Sequence, residues 1–95
     1  MLLGDMLARL EDETVAAEAL LALHDLALLM RVKAAAASDD LTAGEFTVMS
    51  VDHFVTHASG QDWLTLNGLM ARAEDPGQVF LRRVLSDALA ERAQA

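Results

Sequence analysis

The sequence predicts an all-α fold, a compact bundle of four to five helices forming one domain over residues 1–95 and packing into a dimer. Three observations predict it. Ala (18) and Leu (17), both strong helix formers, fill more than a third of the 95 positions. Strand-favouring residues are scarce, with no Ile, no Tyr and seven Val. Apolar residues recur at helical spacing along the chain, and one segment is apolar nearly all round, which few neighbours in so short a chain can cover.

The elements follow in order. Leu3, Met6, Leu7 and Leu10 repeat at helical spacing over residues 2–11. The acidic run Glu11-Asp12-Glu13 then suits the first turn of a new helix, where negative charge meets the positive end of the dipole. A separate short helix and one long bent helix both satisfy this pattern. Residues 13–37 read as a single helix. Ala16, Ala19, Leu20, Leu23, Ala27 and Met30 form its apolar face, Ala17, Leu21, His24 and Leu28 widen it, and Glu18 and Asp25 mark its polar stripe.

Ser38-Asp39-Asp40 is a polar turn, and Thr42 with Glu45 three residues on forms a capping box. The helix it opens runs to about Ser59, with Val48, Val51, Phe54, Val55 and Ala58 inward and Gly60 as its stop. A shorter helix over about 62–73 turns Trp63, Leu66, Leu69, Met70 and Ala73 inward. Asp75-Pro76 restarts the chain, Asp as N-cap and Pro at the first helical position, where no amide donor is needed. The last helix, 76–92, buries Phe80, Leu81, Val84, Leu85, Ala88 and Leu89.

Composition excludes several functions. A net charge of −8 opposes binding to phosphate backbones and to anionic membrane surfaces, so neither nucleic acid nor membrane is an expected partner. With no Cys, disulfides, thiolate catalysis and cysteine zinc sites are out of reach. The apolar stretch 16–30 is interrupted by Glu18, His24 and Asp25 and is too short to span a bilayer. The N-terminus has no basic segment followed by an apolar run and a cleavage site, and a cytoplasmic location is expected. One Lys, one Asn and no Ile or Tyr against abundant Ala, Leu and Asp is the bias of a GC-rich genome, which predicts a bacterial source.

No stretch forms a nucleophile elbow, a phosphate-cradling Gly-rich loop or a calcium loop. No enzyme and no organic cofactor are expected. The one metal candidate is His53 with His57, which stand one helical turn apart on one side of their helix. Phe54 follows His53, so the His-Glu-x-x-His pattern is absent. His24 would complete a three-His divalent-metal set if its helix faced theirs. The competing reading makes all three surface or interface residues. Leu3, Met6, Leu7, Leu21, Leu28 and Phe46 are the expected interface residues, exposed apolar positions that a second copy or another protein would cover. The expected function is therefore a small acidic helical protein-interaction module acting as a homo-oligomer, with a metal- or small-ligand-binding bundle as the alternative.

Overall fold

The computed structural model describes residues 3–94, with the side chains of Leu3 and Gln94 outside the description. Among the described residues there are six helices and no strand: α1 (Leu3–Arg9), α2 (Glu13–Ala22), α3 (Leu26–Ser38), α4 (Ala43–His57), α5 (Gly60–Ala71) and α6 (Pro76–Gln94). The Cα radius of gyration is 12.6 Å, close to the ~13 Å of a compact 100-residue fold. No helix among the described residues is long and apolar enough to cross a membrane.

Local chemistry explains the starts of α2, α4 and α6. The Asp12 carboxylate accepts the amides of Thr14 and Val15, so α1 is a separate helix and the acidic run opens α2. Thr42 and Glu45 form the reciprocal box at the head of α4. Asp75 accepts the Gln78 amide and Pro76 opens α6.

The expected single helix over 13–37 is two helices. The chain breaks at Leu23–Asp25, where His24 takes a left-handed φ of 52°. That conformation is uncommon outside Gly. Two contacts hold it: Asp25 caps α3 by accepting the Leu28 amide, and Arg82 of α6 pairs with Asp25 and donates to the Leu23 carbonyl. Gly60 does not stop α4. It is the first residue of α5, whose N-cap is Ser59 in a second reciprocal box with Asp62.

α4 is the centre of the bundle and packs against α2, α3 and α6. It therefore buries two faces. Phe46, Thr47, Ser50, Val51 and Phe54 point inward, whereas Val55 is exposed and Val48 only half-buried, which corrects the expected core face. Burial of the two hydroxyls costs little because each donates to the carbonyl four residues back, Thr47 to Ala43 and Ser50 to Phe46. Phe54, Trp63 and Phe80 make an aromatic cluster, with Phe54 edge-on to both partners at 5.2 and 6.0 Å between centroids.

The caps Asp25 and Asp62 share an electrostatic property. The Leu28 amide, with Arg82 beside it, holds the Asp25 carboxyl below its ordinary value. The Ser59 amide and hydroxyl do the same for Asp62, with Arg83 adding to them. A carboxyl with a depressed folded value contributes stability that is present above its unfolded value, about 3.9, and lost as pH falls through the folded one. Thermal melts should therefore hold steady near neutral pH and decline as the pH falls below about 4. Asp25→Asn should flatten that acid limb; an unchanged limb would show that the α3 cap does not contribute to it.

Candidate functional site

The three histidines lie on two separate elements. His53 and His57 sit in the last turns of α4, at the seam with α6. Their rings stack with centroids 4.3 Å apart. His53 Nε2 lies 3.2 Å from Glu91 Oε2 of α6. His57 Nδ1 lies 3.1 Å from the His53 carbonyl, which the tautomer protonated at Nδ1 satisfies, leaving Nε2 as the free acceptor. Helical spacing thus brings the pair together as expected, beside a shallow cavity of about 80 Å³. His24 is not brought to them, because the break that creates α3 places it in the α2–α3 turn. Among the described residues, no three His, Cys, Asp or Glu side chains are grouped to hold a metal ion.

The expected interface residues divide. Leu28 and Phe46 are only 6% and 5% exposed and belong to the chain's own core, so neither is available to a partner. Phe46 faces in because α4 buries a second side beyond the expected one, and Leu28 because the new helix α3 turns it toward α4 and α6. Met6 and Leu7 are half-buried against the same core. Leu3 belongs to α1, but its side chain lies outside the described residues. Leu21 is 58% exposed at the end of α2.

One exposed residue, Leu26, was not singled out in the sequence, and Met30, expected on the apolar face of 13–37, is exposed as well. Leu26 and Met30, at 71% and 57% exposure, stand one turn apart on the outer side of α3. Lys33, Ala34 and Ala37 continue that stripe, and Arg31 flanks it. The buried side of the helix carries Leu28, Val32, Ala35 and Ala36. α3 is thus apolar on both sides, and its sequence contains no acidic residue. The signal was present in the sequence as a helix apolar nearly all round, but which side faced out depended on the break at His24.

Two further concavities offer little chemistry. A cleft of about 210 Å³ between α1, α2 and α6 is walled by Met6, Leu10, Val15 and Leu81; ligand pockets run to about 300–1,000 Å³. An open groove of about 530 Å³ beside α5 and α6 contains Arg82 and Arg83, but Asp25 and Asp87 already pair with them. No family model matches the chain, and no curated protein or solved structure matches it either.

Proposed function

We propose that this chain is a small protein-interaction module that acts as a homo-oligomer. The observation behind this reading is the outer stripe of α3, where Leu26, Met30, Ala34 and Ala37 face solvent on a helix whose other side is core. Apolar surface gains about 25 cal/mol for each Å² removed from water, so a stripe of this kind favours a partner that covers it. Leu21, two residues before the α2–α3 turn, extends the apolar surface around the corner. The net charge of −8 supports the narrower expectation that phosphate backbones and anionic membranes are not partners. We place the module in the cytoplasm of a bacterium and take residues 1–95 as one domain, on the composition and sequence pattern alone.

One observation favours the metal-binding alternative. His57 offers a free Nε2 beside His53 and Glu91, a donor set that a change of rotamer would have to complete. A native mass spectrum of untagged protein, purified without chelator, separates the two readings. Metal-free dimers are the expected result. A mass shift of one metal ion per chain, abolished by His57→Ala, would replace the interaction reading with the metal one.

A further inference from the structure

We infer that the second copy docks at the α2–α3 corner, with the basic apolar face of α3 laid against the acidic face of the other copy's α2, and the reverse contact made across the same two-fold axis. The inference rests on the self-association proposed above and names the surface that carries it.

Charge is what singles out this pairing. The chain as a whole is −8, yet α3 carries Arg31 and Lys33 and no acid. Arg82, Arg83 and Arg92 each pair with a carboxylate of their own chain, whereas Arg31 and Lys33, like Arg9 and Arg72, form no ion pair among the described residues; of these, only Arg31 and Lys33 stand two residues apart on one helix that carries no acid. The outer side of α2 has the opposite character. Thr14, Glu18, Leu21 and Ala22 line it at helical spacing, all exposed, with Glu11 just before the helix. Glu18 likewise forms no ion pair among the described residues, while Glu13 and Asp12 are occupied by Thr42 and by the α2 cap.

The two stripes match residue by residue. Laid antiparallel, Leu26 falls beside the second copy's Leu21, Met30 beside the stem of its Glu18, and Lys33 between its Glu18 and Glu11. Apolar residues meet near the corner, and opposite charges meet further along, the arrangement by which flanking charges select partner and orientation in helix pairs. Each chain supplies both an α2 and an α3, so under the inferred two-fold the contact is made twice and the assembly is an isologous dimer; without that axis the same contact would run on as an open chain, which sedimentation would show as larger species. Pairing α3 with the other copy's α3 would instead bring Lys33 toward Lys33.

Helices of ten and thirteen residues, at 1.5 Å rise and about 10 Å width, offer on the order of 350 Å² of footprint per chain. A standard stable interface buries about 800 Å² per partner. The dimer is therefore a weak, exchanging one, with Kd in the micromolar range or above, and it loosens as salt shortens the Debye length.

Charge reversal tests the pairing. Sedimentation would be followed for wild type, for Arg31→Glu/Lys33→Glu, for Glu11→Lys/Glu18→Lys, and for an equimolar mixture of the two variants. Each variant alone sets like charges against each other, and its Kd should rise at least tenfold. The mixture should recover the wild-type Kd, as a heterodimer resolved by native mass spectrometry. All four substituted positions are exposed, and circular dichroism checks that each variant folds. The uncharged pair Leu26→Gln/Met30→Gln should also weaken the dimer tenfold or more. If wild type dimerises and the reversals leave its Kd unchanged, the corner is not the interface, although self-association stands. Wild type that stays monomeric would overturn both.

Discussion

Phe80→Ala should cost about 3–5 kcal/mol, the range for truncating a large buried aromatic. Phe80 is fully buried and packs against the Phe54 and Trp63 rings. It stands on α6 between Phe54 of α4 and Trp63 of α5, so the cavity would open inside the aromatic cluster that joins the three helices. Natural domains are stable by only about 5–15 kcal/mol, so this one truncation consumes a large fraction of the total. Urea unfolding gives the number directly. Trp63, the chain's one Trp, lies 6.3 Å from Phe80 between ring centroids and reports the transition by fluorescence. A loss under about 1 kcal/mol would mean that neighbouring side chains collapse into the space and that Phe80 is not the keystone of the core.

Gly44→Leu should destabilise by about 3 kcal/mol, the upper part of the range for overpacking. Gly44 is buried near the start of α4, where α2 crosses it. A Cβ at this position would stand 2.6 Å from the Glu13 carbonyl oxygen and 3.3 Å from Ala17 Cβ. The first of these neighbours is backbone and cannot rotate away, so α2 must move off α4. Replacing Gly within a helix returns up to about 1 kcal/mol of propensity, which the clash outweighs. Even Gly44→Ala should therefore lose stability despite the better helix former. A gain on Gly44→Ala, read as a higher melting temperature, would show that the two helices separate freely. By contrast, Gly68 has nothing near its missing Cβ, so Gly68→Ala isolates the propensity gain.

Helix content was legible from composition, and the capped starts at Thr42 and Asp75 were legible because their signals are local. The break in 13–37 was not. Asp25 is a good N-cap residue, but Leu and Ala on both sides make a continuous helix equally acceptable to local propensity. What tips the balance is Arg82, 57 residues away in sequence, which no window can see. Gly60 was read as a stop although Ser59 and Asp62 form the same box recognised at Thr42 and Glu45. There the signal existed and the glycine obscured it.

Inward faces followed the same division. α6 faces the core on one side only, so its periodicity identified Phe80, Leu81, Val84, Leu85 and Leu89. α4 has neighbours around it, so one-sided projection put Phe46 outside and Val55 inside, the reverse of what packing requires. The same limit applies to the candidate site. An all-round apolar helix signalled that some face would be left uncovered, but Leu28 and Leu26 were interchangeable until the turn at His24 fixed the rotation of α3. The His53–His57 pairing depends only on helical spacing and was readable, whereas its Glu91 partner comes from α6 and was not.

Self-association through the outer faces of α2 and α3, as proposed, would leave its mark on the amides of those two helices. A dilution series of amide NMR spectra, from micromolar to millimolar protein, tests it most directly. Concentration-dependent shifts confined to residues around Glu18, Leu21, Leu26, Met30 and Lys33, reduced at high salt, are the expected result. Spectra that do not change with concentration, or changes centred on the His53–Glu91 seam, would contradict it.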